Sequence, residues 1–299
     1  MSRLPRALVA SLALSSLLPF FSTRAAHAEP LPQPAIQLAL DAGLSSRHFA
    51  WKDDLFGTLR AYALPAAPIA GGELTFYPGA VFTRGRAAWI GVAARVEAMM
   101  GVDSRRNQHS DSLPTQAGGF STALRLRAPL SFGAAWIDAG IAGRSFVIGS
   151  AGHTDPDFPS VRFIGPRFGL GAELALPARF SLAARAGSSL WTSSGEIASK
   201  DWFPAAQSWG VDASLRLRFA LPRGFAPYAE VGWSRDIIAL HPQVGASRVA
   251  GGAAEDRFAA RLGIEWTLGP PSRPFPTSKP EVGSIQGVAS ARMAASMSA

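Results

Sequence analysis

The chain has 299 residues, with 29 Lys+Arg against 21 Asp+Glu and no cysteine. The missing cysteine excludes disulfide scaffolds, thiol nucleophiles and cysteine-based metal sites. A formal net charge of +8 ordinarily points to nucleic acid or anionic surfaces, but the arginines are spread through alternating segments. They do not gather with stacking aromatics in a patch, so no nucleic-acid partner is expected.

Residues 1–28 read as a secretory signal peptide. Arg3 and Arg6 give a positive start, residues 7–21 an apolar run, and Ala26-His27-Ala28 a small-x-small cleavage site before Glu29. The apolar run is shorter than the roughly 20 residues that span hydrocarbon as a helix. With no cysteine after it, lipid anchoring is excluded, and the mature chain is expected in the cell envelope.

Ten strands are predicted, at 36–49, 70–77, 88–100, 119–128, 132–148, 161–176, 180–192, 207–221, 226–239 and 256–268. Most reach the roughly 9–11 residues that a tilted membrane-spanning strand needs. Their connections alternate in length: 129–131, 177–179 and 222–224 are short and carry proline, which ends a ladder. The segments 101–118, 149–160, 193–206 and 240–255 are long and rich in Gly, Ser, Asp and His. Such alternation is that of an up-and-down barrel with tight periplasmic turns and long external loops. Residues 50–69 then form the first external loop and 78–87 a periplasmic connection. Eight or twelve strands are alternatives, and 59–64 as a further strand would break the even count.

The alternation has one face apolar and the other charged. In 256–268, Phe258, Ala260, Leu262, Ile264, Trp266 and Leu268 share one face, while Arg261, Gly263, Glu265 and Thr267 share the other. With the apolar face toward lipid, an interior network is predicted from Arg95, Glu97, Arg125, Arg127, Arg167, Glu173, Arg185, Asp212, Arg216, Arg218, Glu230, Asp236, Arg261 and Glu265. Gly91, Gly140, Gly169, Gly171, Gly210, Gly232 and Gly263 would make room for it. Arginine's planar fork suits carboxylates across neighbouring strands, and about ten strands is close to the size that side chains fill without a wide pore. In 132–148, Phe132, Ala134 and Trp136 fall on the face opposite Ile137, Ala139 and Ile141, and a register shift near Ala135 would reconcile them.

Aromatics at strand ends suggest girdles: Phe76, Tyr77, Phe132, Phe180, Phe225 and Trp266 on the periplasmic side, Trp191, Trp209 and Trp233 on the other. Trp89 and Tyr228 fall on the inward face. Residues 29–269 thus form the barrel, and the Pro-rich, aperiodic segment 270–299 is expected to be disordered.

Over residues 36–268 the chain resembles the bacterial outer-membrane β-barrel superfamily. The resemblance is carried by the signal peptide, the Tyr77-Pro78-Gly79 strand end and the last strand, Phe258-x-Ala260-x-Leu262-x-Ile264-x-Trp266, which looks like the signal read by the barrel-assembly machinery. That family usually ends on the aromatic residue, whereas here a tail follows. The resemblance implies an all-β transmembrane antiparallel barrel in the outer membrane. It leaves activity open among adhesins, small-solute pores, proteases, lipid-modifying enzymes and structural proteins. A structural or surface-interaction barrel with a plugged interior is expected, with a narrow small-solute pore as the alternative. The expected partners are outer-membrane lipid, lipopolysaccharide through loop arginines such as Arg105, Arg106 and Arg248, and the assembly machinery, with the barrel a monomer. No cofactor, metal or catalytic residue is expected. A loop-borne hydrolase would draw on His109 with Asp111, His153 with Asp155 and Asp157, or His241.

Overall fold

The structure, a computed structural model, describes residues 34–83, 85–105, 112–149, 158–242, 245 and 248–269. The signal segment 1–28 and the tail 270–299 lie outside them. The strands are β1 (Ile36–Lys52), β2 (Tyr62–Phe76), β3 (Ile90–Arg105), β4 (Ser112–Leu130), β5 (Gly133–Ile148), β6 (Val161–Ala175), β7 (Phe180–Trp191), the three-residue β8 (Ser193–Gly195), β9 (Gln207–Phe219), β10 (Phe225–Ala239) and β11 (Gly252–Leu268). The ten long strands pair antiparallel in chain order, and β1 closes on β11 through an unbroken register from Ile36↔Leu268 to Lys52↔Gly252. The result is a closed ten-stranded barrel, which leaves no long edge to pair with another chain. Among the described residues, no helix is long and apolar enough to cross a membrane.

At one end the turns are tight and share a pattern. Leu176-Pro177-Ala178-Arg179-Phe180 and Leu221-Pro222-Arg223-Gly224-Phe225 each close with the leucine N–H donating to the phenylalanine carbonyl, at 2.8 and 2.7 Å. Proline ends one ladder, and the next residues turn through the left-handed region (Ala178 φ 58°, Arg179 φ 67°, Arg223 φ 64°, Gly224 φ 81°). That hand matches the twist of a hairpin. Residues 131–132 make a two-residue turn between β4 and β5 at the same end, and the connection between β2 and β3 there holds the one-turn helix α1 (Pro78–Phe82). We call this the turn end and the opposite end the loop end.

Two expectations change. The loop after β1 is shorter than predicted, because β2 begins at Tyr62 and takes in residues 62–64 of the segment 59–64 that might have been a separate strand. Between Ser45 and Arg47 the β1–β2 register shifts, placing an extra residue at Pro65–Ala66. The bulge moves the inward set from Tyr62 and Leu64 to Ala67 and Ile69, which hides the period in the sequence. The shift predicted near Ala135, by contrast, does not occur: β4 and β5 pair without interruption from Leu130↔Gly133 to Thr115↔Ile148. Ala134 and Trp136 are simply interior residues, buried on the face of β5 that also carries Asp138 and Arg144, while Phe132 sits exposed in the turn.

The ten long strands have 12 to 19 residues, more than the roughly 9–11 that cross a bilayer, and their faces exchange polarity along the way. In the middle and toward the turn end, outward positions are apolar and bare, as at Leu124 (66% exposed), Leu170 (62%) and Leu262 (72%), while inward positions are charged. Toward the loop end, outward positions become Ser46, His48, Arg162, Arg235 and Asp256, and inward ones become Phe49, Phe146, Phe163 and Ile238. An apolar belt on every side suits lipid, since soluble monomers rarely expose apolar patches beyond a few hundred Å². The loop end has the polarity of a soluble protein. Trp209 and Trp233 face outward at the level of the exchange, where interfacial aromatics belong. Trp191 is corrected: it points inward, 7% exposed, and donates through Nε1 to Asp236 at 2.9 Å.

Candidate functional site: the closed lumen

Period-2 alternation aims every second residue of each strand into the lumen, where long charged side chains need both space and partners. Neighbouring strands supply the space. Asp41 lies across from Gly71 and Gly263, Arg261 from Gly43, Arg125 from Gly91, Arg167 from Gly140, Arg185 from Gly171, Asp212 from Gly187 and Asp236 from Gly210. The fit is close. A Cβ on Gly210 would sit 2.1 Å from the Asp236 carboxylate, and one on Gly171 would sit 2.3 Å from the Trp136 ring. Gly232 differs, its nearest neighbour being 3.7 Å away.

Glu73 occupies the centre. Its carboxylate accepts from Arg185 (2.8 and 3.0 Å), Arg216 (2.8 Å) and Arg95 (3.3 Å). Arg216 also reaches Glu230 (2.6 Å) and Glu265 (3.5 Å). Arg95 reaches Asp41 (3.3 Å), Glu230 (3.2 Å) and Glu97 (4.0 Å), and Arg261 reaches Glu97 (2.7 Å) and Glu230 (3.3 Å). Toward the turn end, Arg218 pairs with Glu265 (2.6 Å) and Glu173, Arg127 with Glu173 (3.7 Å), and Arg125 makes a fork with Asp138 (2.7 and 2.9 Å). Toward the loop end, Arg167 forks onto Asp212 (3.2 and 2.7 Å), and Arg144 reaches Asp236 (3.1 Å). All fourteen residues predicted for the interior lie in this lattice. So do Asp41, Arg47, Glu73, Asp138, Arg144, Glu255 and Arg257, which the sequence reading did not include.

Burying so many charges is unfavourable until each finds a partner with good geometry. Each of these arginines has a carboxylate within 4.0 Å, and the forks of Arg125, Arg167 and Arg47 add the orientation that paired N–H donors give.

Above the lattice an apolar cluster that the sequence reading missed packs across the loop end. Phe49, Phe146, Phe158, Phe163, Ile197 and Phe203 form its buried core. Trp51 stacks on Trp202 with centroids 6.0 Å apart, and Phe49 meets Phe158 edge-on at 4.9 Å. Arg47 lies at the junction: its guanidinium sits 3.6 Å from the Phe146 ring centre, near Tyr62 and Phe158, and donates to Glu255 at 2.9 Å. This is a cation–π contact joined to an ion pair. At the turn end Ala35, Tyr77, Ala80 and Ala88, with Trp89 against them, close the floor beneath α1. Tyr77 is therefore a floor residue rather than part of a girdle. Between cap and floor a cavity of about 190 Å³ remains, lined among others by Arg144, Arg167, Asp212 and Ser214, and a smaller one of about 20 Å³ lies nearer the floor.

The loop residues considered for chemistry do not converge. His109, Asp111, His153, Asp155 and Asp157 lie outside the described residues, as does Arg106, and His241 is exposed at the end of β10. His48 pairs in register with Asp256, but that carboxylate is held by Arg235 (2.9 and 2.7 Å) and Trp233 (3.3 Å). Arg248 stacks over Trp202 at 4.2 Å and donates to the Asp201 carbonyl. Among the described residues, no group of three or more His, Asp or Glu is disposed to hold a metal.

No family model and no curated protein matches the chain. Solved structures do. The outer membrane protease OmpT of Escherichia coli is similar at 13% identity and a TM-score of 0.46, over 81% of this chain and 99% of that one. The β domain of the Bordetella autotransporter BrkA is similar at 12% identity and a TM-score of 0.38, over 78% and 100%. The outer membrane protein AlkL is similar at 12% identity and a TM-score of 0.34, over 85% and 97%. The chain resembles bacterial outer-membrane β-barrels in fold. These likenesses assign no activity.

Proposed function

We propose that the protein is a non-conducting outer-membrane barrel whose loop end serves as a rigid surface for an external partner. The observation that carries this reading is the filled lumen: a lattice of paired charges lies between an aromatic cluster and a floor. The lipid-facing belt and the export signal support the location. Exposed arginines of the loop end such as Arg162 suit the phosphates of lipopolysaccharide. In this reading the barrel is a monomer delivered by the assembly machinery. The purified barrel in a planar bilayer is expected to give no steady current, and a stable open level would refute the filled lumen. A narrow solute route is the second reading. It is favoured by the cavity of about 190 Å³, enough for roughly six waters, and it predicts that same open level.

A further inference from the structure

Outside the lumen, the two ends of the barrel carry charge differently. At the loop end acids and bases are mixed: Lys52 precedes Asp53 and Asp54, Lys200 precedes Asp201, and Arg235 is forked onto Asp256. The turn-end segments 77–89, 131–132, 176–180 and 220–225 hold arginine and no Asp or Glu. Arg86, Arg179 and Arg223 are exposed there. The sequence beyond Gly269 adds Arg273, Lys279 and Arg292 against Glu281 alone, so it supplies no net counter-charge.

Two of these arginines sit where the backbone disfavours them. Arg179 (φ 67°) and Arg223 (φ 64°) lie in the left-handed region, which Gly, Asn and Asp fill readily and a long side chain does not. The arginine is second of the left-handed pair in Ala178-Arg179 and first in Arg223-Gly224, so no single backbone position selects it. The two turns are neighbours: the Arg179 carbonyl accepts from the N–H of Ala220, three residues before Arg223, at 2.9 Å. Next to them the lipid-facing wall is aromatic, with Phe180 on Phe219 at 4.9 Å between centroids and Phe225 stacked on Trp266 at 6.3 Å. Arginines without carboxylates at the edge of an aromatic row fit a lipid of opposite charge, chains against the rings and phosphate on the guanidinium forks. A zwitterionic headgroup brings its own cation to the arginines, and a soluble anion leaves the rings unused.

We propose that the turns at Arg179 and Arg223 form a site for one anionic phospholipid, its phosphate held by the two arginines and its chains lying along the aromatic row. The inference is independent of what the loop end binds. The full folded barrel in detergent is titrated with phosphatidylglycerol and with phosphatidylcholine of the same chains, and bound lipid is counted by native mass spectrometry. Phosphatidylglycerol should bind at least about fivefold more tightly. Arg179→Asn combined with Arg223→Asn suits the left-handed backbone, so heat-modifiable migration should persist while the two lipids bind alike. Arg235→Gln, on the same wall at the loop end, should keep the preference. Equal binding of both lipids to the unaltered barrel would overturn the site. So would a preference that survives in the double variant, one lost with Arg235→Gln, or displacement of the bound lipid by glycerol phosphate at matched ionic strength.

Discussion

The barrel interior is filled by two different means, and β5 passes through both. At its loop end the inward residues are Phe146 and Ile148, packed among other apolar side chains. Farther down they are Arg144 and Asp138, each held by a named partner on another strand. The outward residues change in the opposite sense, from apolar Ile137 and Ile141 on β5 to Arg235 and Asp256 near the loop ends of β10 and β11. An apolar core is held by volume and tolerates loss by degree. A charge lattice is held by pairing, so removing one member strands the others. Surplus strand length explains why both exist in one barrel: the segment beyond the bilayer meets water outside and packs like a soluble core.

The largest effect is expected from breaking a partner. Arg216→Met leaves Glu73, Glu230 and Glu265 without their shared guanidinium and should lower stability by about 4 kcal/mol, read from urea unfolding of the barrel in lipid vesicles with heat-modifiable migration reporting the folded fraction. Adding Glu230→Gln should recover part of that loss, as coupled neighbours do. In the cap, Phe203→Ala should lower stability by about 3 kcal/mol in the same assay. A loss larger than that of Arg216→Met would mean that shape, not pairing, dominates the interior.

Spacing separates the zones more finely. Gly171→Ala drives a methyl into the Trp136 ring and should cost about 2 kcal/mol. Gly232→Ala meets only ordinary van der Waals contacts, from 3.7 Å outward, and should change stability by less than about 0.5 kcal/mol. The smallest effect belongs to the outer surface. Arg235→Ala breaks a fork onto Asp256, but with the arginine side chain 46% exposed the pair contributes at most about 0.5 kcal/mol, and added salt should erase the difference.

The strands were legible wherever their two faces meet different surroundings. In β9, Leu215 and Leu217 face outward and Arg216 and Arg218 inward, so the period is plain. It fails in the upper half of β2, where the bulge at Pro65–Ala66 resets the parity, and in β5, where Trp136 and Ala142 are apolar yet inward. Glu73 escaped because the glycines before it, Gly71 and Gly72, give no sign of which face is which. The cap escaped for a different reason: Phe49, Phe158, Ile197 and Phe203 come from strand ends and loops, and their convergence is a product of closure that no local pattern carries.

The exchange of polarity between the two zones is the central claim, and a chain without cysteine allows it to be tested directly. Single cysteines would be placed at Ala260, outward in the middle zone, at Ala239, outward near the loop end, and at Ala142, inward and buried, in the barrel folded into vesicles. The account predicts that Ala260→Cys reacts with a lipid-dissolved maleimide, Ala239→Cys with a water-soluble one, and Ala142→Cys with neither. Labelling of Ala142→Cys from lipid, or of Ala260→Cys by the water-soluble reagent alone, would contradict it.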